Sequence, residues 1–190
     1  MNPLLRASGW LDEARVSEER EPEAMALAAA TADGRPSVRM VLCRGIDSRG
    51  LRFFTGYESR KGRELDANPH AAVAFHWASL GRQLRVEGPV SRLSGADSDA
   101  YFQGRPRGHQ ISGAVSPQSR PIASLDELRQ QTAELTRRFE GRDIPRPVTW
   151  GGYFIEARVV EFWTRGDDRL HERQRWDLEG GVWKPTLLAP

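Results

Sequence analysis

The sequence predicts an α+β chain, mainly β, built on an antiparallel barrel with helices packed around it. Four or five strand-like runs follow one another between Ala24 and Leu93 with only short turns between them, the pattern of an antiparallel sheet that closes on itself. The two longest helical periodicities lie outside that run, one before it and one, the clearest, at Ser124 to Glu140. With 190 residues, 38% of them hydrophobic, the chain is long enough to bury one sizeable core, so a single domain over residues 1–190 is expected.

Residues from about Pro3 to Val16 place Leu4, Leu5, Trp10, Leu11 and Ala14 at roughly helical spacing and predict an opening helix, followed by a charged linker from Ser17 to Glu23. Ala24 to Thr31 and Ser37 to Arg44 predict two strands joined across Asp33-Gly34, a dipeptide suited to a tight hairpin turn. After a turn at Asp47 to Gly50, strands follow at Leu51 to Thr55, Ala71 to Trp77 and Arg82 to Leu93. The last is long enough to bend, at Gly88-Pro89. Gly62 to Ala67 predicts a short helix with Ser59 as its N-cap, stopped by Asn68-Pro69. Asp97 to Gln103 predicts another that ends before Pro106, and Ser124 to Glu140 a longer one closed by Gly141. Gly152 to Arg165 reads as one strand, and Leu170 to Leu178 with Val182 to Leu188 as a hairpin over Glu179-Gly180-Gly181.

A net charge of +2, with acids and bases interleaved, does not call for a nucleic-acid surface. The one cysteine, Cys43, lies in an apolar run and predicts a buried thiol, and the four histidines show no metal-ligand spacing. No stretch approaches the roughly 18 apolar residues of a membrane span, and no signal-like apolar segment opens the chain, so a soluble, cytoplasmic protein is expected.

Two basic clusters carry the chemistry. Arg169, His171 and Arg173, read as a continuing strand, fall on one face, where two fixed cations and an imidazole ask for an anionic or electron-rich ligand. Ser59-Arg60-Lys61 opens a helix, where exposed amides and the dipole add to two cations and suit a phosphate. Lys61 and Lys184 are the only lysines in a chain whose other basic residues are arginines.

Together with these clusters, Arg39-Met40-Val41-Leu42, Phe53-Phe54-Thr55, Arg82-Gln83, Tyr101-Phe102 with Arg105-Pro106, Gln118-Ser119, Trp150-Gly151-Gly152, Glu161-Phe162-Trp163 and the closing Leu187 to Pro190 occur in an order that resembles the pyridoxamine 5′-phosphate oxidase family. The resemblance covers the chain from about Asn2 to Pro190. It implies an FMN-binding split β-barrel, antiparallel and Greek-key-like, that forms a homodimer through its C-terminal strands with the flavin at the subunit interface. It further implies oxidation of pyridoxine or pyridoxamine 5′-phosphate to pyridoxal 5′-phosphate by O2, with hydride passing from substrate C4′ to flavin N5 and H2O2 as product.

Carried over by residue, the resemblance assigns FMN to Arg39, Met40, Val41, Leu42, Cys43, Arg44, Phe54, Thr55, Arg60, Lys61, Gln83, Gln118, Ser119, Trp163 and Arg173. It assigns the substrate phosphate to Arg44, Tyr101, Arg105 and His109, and the substrate ring to Arg169 and His171, the two residues expected at the chemistry. No metal, nucleic-acid or membrane partner is implied. The chain departs from the family pattern at Arg44, where lysine is usual, at His109, where serine is usual, and at Ala114, where an aromatic is frequent. These departures leave open a relative that oxidises another aromatic ring, as in phenazine biosynthesis. A non-catalytic flavin or pyridoxal phosphate carrier is disfavoured, having no use for a ring-facing Arg169 and His171. Strict alternation also sets Arg39 and Arg44 on opposite strand faces, which a bulge or a site between two subunits would reconcile.

Overall fold

The computed structural model describes residues 1–190. The chain opens with α1 (Pro3–Arg15), whose N-cap Asn2 accepts the Leu4 amide at 2.9 Å. Its Leu4, Ala7, Trp10, Leu11 and Ala14 stripe is buried, with Trp10 edge-on to Phe162 at 4.9 Å. Then come β1 (Ala24–Ala30), β2 (Pro36–Leu42), β3 (Gly50–Gly56), α2 (Arg60–Ala67), β4 (His70–Trp77) and β5 (Arg82–Arg92). Three helices follow, α3 (Gly95–Gln103), α4 (Arg107–Val115) and α5 (Leu125–Arg138), before β6 (Trp150–Glu156), β7 (Val159–Thr164), β8 (Glu172–Glu179) and β9 (Val182–Leu188).

All strand pairings are antiparallel, along the path β2-β1-β4-β5-β7-β8-β9, with β6 joining β5 and β3 joining β6. The long β5 makes the corner: Arg82 to Glu87 pair with β7, whereas Val90 to Arg92 pair with β6. Gly88 permits the crossing, because a Cβ there would stand 1.9 Å from the Glu156 carbonyl oxygen. Strand alternation sends Met25, Leu27, Phe53, Phe75, Leu84, Val86, Ile155 and Phe162 into a core that α1 covers. Truncating such a ring to alanine costs about 3–5 kcal/mol, against about 0–1 kcal/mol for an exposed ion pair, so this interior holds the barrel together.

A smaller cluster of Phe102, Ile111, Ile144 and Trp150, with Phe54 and Tyr101 packed on it, fixes α3 and α4 beside β3 and β6. The structure corrects three expectations here. Gly152 to Arg165 is two strands, β6 and β7, broken at Ala157-Arg158: β6 pairs with β3 and the far end of β5, β7 with β8 and the first part of β5. Helix α4 was not anticipated, since Pro106 read as a terminator and is instead its N-cap. Arg169 and His171 do not continue a strand: a 3-10 turn spans Asp167–Arg169 and β8 begins at Glu172.

Candidate active site

Between β2, β3, α2, α3 and α4 lies a cleft of about 620 Å³ that brings together Met40, Val41, Leu42, Arg44, Phe54, Thr55, Lys61, Tyr101, Arg105, His109 and Gln118. Residues predicted for the flavin and for the substrate phosphate therefore share one cavity. Phe54 stacks on Tyr101 with centroids 3.7 Å apart and planes 10° from parallel, which fixes the phenol at the wall.

Ser59 caps α2 by accepting the Gly62 amide at 3.2 Å, leaving the amides of Arg60 and Lys61 at the positive end of the helix. Lys61 is 7% exposed and donates to Thr55 Oγ1 at 3.0 Å, Gln118 Oε1 at 3.1 Å and Ser59 Oγ at 3.2 Å. All three acceptors are neutral, and no carboxylate pairs with it. Burial, with Arg39 adding repulsion, brings its pKa down to about 8, only partly opposed by Glu64. An anion placed among these groups would relieve both penalties.

The two arginines predicted to share this phosphate are differently placed. Arg39 reaches Glu64 Oε2 at 2.7 Å and Ser37 Oγ at 2.6 Å, and Arg60 reaches Glu64 Oε1 at 2.9 Å. Glu64, a residue that sequence reading missed, thus neutralises part of the cluster. Burial alone would raise its pKa, but these hydrogen bonds outweigh that and hold it low. The Arg60/Glu64 spacing of four on a helix was the available signal.

Arg105 repeats the pattern at another wall of the cleft. Its Nη1 is buried without a hydrogen-bond partner, and its guanidinium lies 4.6 Å above Trp150. Burial lowers its pKa, with Tyr101 opposing and Arg44 reinforcing the effect. Arg44 lies just past the end of β2 and is exposed, which dissolves its conflict with Arg39: alternation no longer applies there. His109 stands in the first turn of α4. Cys43 contributes no reactive thiol, since burial pushes it up to about 11, and its amide is spent on the Glu23 carbonyl at 2.8 Å. Ser119, after Gln118, is exposed and takes left-handed backbone at φ 70°.

The remaining predicted residues are not in this cleft. Gln83, Trp163 and Arg173 are cross-strand neighbours on β5, β7 and β8. From β2 to β7 the path crosses four strand spacings, about 19 Å along the sheet. Arg173 is not a free cation: Nε and Nη2 hold Glu161 Oε1 at 3.0 and 2.8 Å, and Nη1 holds the Ala189 carbonyl at 3.2 Å. His171 packs on Trp163 at 4.6 Å. Gln83, Trp163 and Arg173 lie on the outward side of the sheet, as do Val38, Met40 and Leu42, which are 69%, 65% and 38% exposed.

This architecture defines the FMN-binding split-barrel class, and known proteins agree. Residues 11–138 match the family model described as pyridoxamine 5′-phosphate oxidase, and residues 150–190 that of the pyridoxine 5′-phosphate oxidase C-terminal dimerisation region. The chain belongs to the pyridoxamine 5′-phosphate oxidase family, whose members are FMN-dependent oxidoreductases. It is 48% identical to the pyridoxine/pyridoxamine 5′-phosphate oxidase of Rubrobacter xylanophilus, over all of this chain and 87% of that one. It is 44% identical to the protein of the same description from Gluconobacter oxydans, over all of this chain and 94% of that one. A crystal structure of PhzG from Burkholderia lata, in complex with tetrahydrophenazine-1-carboxylic acid, superposes with a TM-score of 0.95 at 38% identity, over all of this chain and 93% of that one. A pyridoxamine 5′-phosphate oxidase-related, FMN-binding protein from Nostoc punctiforme shares the fold, with a TM-score of 0.81 at 16% identity over all of this chain and 98% of that one. No helix is long and apolar enough to cross a membrane.

Proposed function

We propose that the protein, acting as one 190-residue unit, oxidises pyridoxine 5′-phosphate and pyridoxamine 5′-phosphate to pyridoxal 5′-phosphate, with FMN as cofactor and O2 as the oxidant that becomes H2O2, the amine also consuming one water and releasing ammonia. One observation carries this reading: Lys61, buried, and Arg105, half-buried with its Nη1 enclosed and unpartnered, line one cleft, each repelled by a neighbouring arginine and neither paired with a carboxylate. A phosphorylated cofactor and a phosphorylated substrate supply the two anions that these cations lack.

Bound FMN supplies a two-electron acceptor. Lys61, with Arg39 and Arg60, holds its phosphate, while Gln118 and Thr55 fix the direction of the lysine ammonium. The backbone from Met40 to Arg44, at and just past the end of β2, with Phe54 and Ser119, completes that side. Arg44, Arg105, His109 and the stacked Tyr101 receive the substrate phosphate. The substrate is thereby anchored at one end, which restricts how its ring meets the flavin.

Gln83, Trp163 and Arg173 for the flavin, and Arg169 and His171 for the substrate ring, come from a second copy of the chain. The match of residues 150–190 to a dimerisation region and the exposed Val38, Met40 and Leu42 on the shared outer face support a homodimer. Dissociated protein is expected to lose its flavin, because each half-site lacks the other. Light scattering that finds an active, flavin-loaded monomer at working concentration would end this assignment.

A second reading, oxidation of a tricyclic aromatic acid, draws on the similarity to the Burkholderia lata protein. A carboxylate is a poorer match than a phosphate dianion for the Arg44/Arg105 end. The deciding measurement is kcat/KM for pyridoxine 5′-phosphate, pyridoxamine 5′-phosphate and unphosphorylated pyridoxine, followed by O2 uptake and aldehyde formation. The phosphates should win by roughly thirtyfold or more, given a desolvated charge pair worth about 2–5 kcal/mol. Turnover of an aromatic acid with no oxidation of either phosphate would move the protein to the second reading.

A further inference from the structure

The turn that joins β7 to β8 contains a hydrogen bond that the chemistry above does not use: the Gly166 backbone N–H donates to His171 Nδ1 at 3.2 Å. The turn around it is tight. Asp168 and Arg169 both take left-handed backbone, at φ 49° and 64°, a conformation that persists in such residues only where the surroundings enforce it. The Leu170 amide reaches the Asp167 carbonyl at 2.8 Å, and the His171 amide reaches the Arg169 carbonyl at 2.9 Å. Position 166 excludes a side chain, because a Cβ there would stand 2.1 Å from the Leu170 carbonyl oxygen.

A backbone amide only donates, so Nδ1 must offer its lone pair, and the proton of the neutral ring then sits on Nε2. Trp163, packed at 4.6 Å and tilted by 47°, restricts the ring from turning over and exchanging its nitrogens. We propose that Gly166 is a positioning residue that locks His171 in the Nε2–H tautomer, so that His171 meets the substrate as a hydrogen-bond donor and not as a base. This rests on the reading that His171 faces the substrate ring. A fixed N–H aimed at an ionisable ring hydroxyl stabilises its oxyanion form, and the electron-rich ring that results gives up hydride more readily. A base at the same place would need Nε2 bare. That tautomer sets an Nδ1–H against the Gly166 N–H, two donors facing each other.

The test is 15N NMR of the flavin-loaded protein labelled at its four histidines, with His171 assigned by its disappearance in His171→Gln. The expected spectrum has His171 protonated at Nε2 and bare at Nδ1. In Gly166→Ala the new methyl displaces the Leu170 carbonyl, so the His171 tautomers should mix and kcat should fall roughly tenfold, the size of one ordinary hydrogen bond, with FMN still bound. His171→Gln, whose amide N–H reaches the place of Nε2–H, should retain more kcat than His171→Asn, which reaches only the place of Nδ1. A wild-type His171 protonated at Nδ1, or an Asn variant faster than the Gln variant, overturns the proposal even where B6 phosphate is oxidised. A locked Nε2–H tautomer in a protein that oxidises neither B6 phosphate upholds the clasp and defeats the substrate reading instead.

Discussion

Lys61→Met is expected to weaken FMN binding ten- to hundredfold, since a hydrogen bond to a charged group is worth about 1.5–3 kcal/mol. Yet the flavin-free variant should melt no lower than flavin-free wild type. The buried ammonium meets three neutral oxygens and no carboxylate, so without a ligand it is a burden on the fold that methionine removes at similar volume. The pH dependence follows with a definite sign. In the free protein Lys61 loses its proton near pH 8, whereas a bound phosphate dianion retains it, so FMN affinity is flat from there down to about pH 6, where the phosphate takes up its second proton, and falls above pH 8 by up to about one decade per unit. Stability of the flavin-free protein runs the other way. The unfolded chain keeps this proton to its ordinary value of 10.5, so between about 8 and 10.5 it binds more protons than the folded chain and folding becomes more favourable as pH rises. Flavin fluorescence titrations at pH 7 and pH 9.5 check both the loss in Lys61→Met and the profile of the wild type. Wild-type-like affinity in the variant would remove Lys61 from the flavin site.

The strands were legible because their signal is local. Alternation over Ala24 to Ala30, His70 to Trp77 and Arg82 to Arg92 needs no knowledge of partners, and Gly88 announced the corner of β5. The N-cap Ser59 and the helix after it were readable for the same reason. What could not be read were features set by distant partners. Glu161 meets Arg85 and Arg173 only once β5, β7 and β8 are adjacent, so the tie on Arg173 has no sequence signature. The break at Ala157-Arg158 arises because β6 and β7 pair with different stretches of β5, on either side of its bend at Gly88, although the apolar pattern runs almost unbroken through both. Arg169 left the strand because its turn uses left-handed backbone at two non-glycine residues, which composition does not mark. The cleft, with Arg44, Thr55, Lys61, Arg105 and Gln118, was reachable from family resemblance but not from spacing, since β2, β3 and the α2, α3 and α4 segments converge only in three dimensions.

Arg105→Met should lower kcat/KM for pyridoxine 5′-phosphate by roughly two to three orders of magnitude, from the about 2–5 kcal/mol that truncating one partner of a desolvated charge pair costs. FMN should stay bound, because Arg105 is placed on the substrate side while Lys61 remains intact on the other. Turnover of unphosphorylated pyridoxine, slow in the wild type, should change little, so the preference for the phosphate should collapse. Arg105→Lys should restore only part of the loss. The guanidinium spreads over Trp150 at 4.6 Å and keeps an enclosed, unpartnered Nη1, a planar fork that a single ammonium does not reproduce. Gly113→Ala tests the same geometry from outside the charge, because a Cβ there would stand 2.8 Å from Arg105 Nη1 and must displace it. That variant should raise KM for the phosphate with little effect on FMN. The measurements are kcat/KM for both substrates and flavin content on the three variants. An unchanged preference for phosphate in Arg105→Met would mean that the substrate anion is held elsewhere, and Arg44 and His109 would then have to carry it without Arg105.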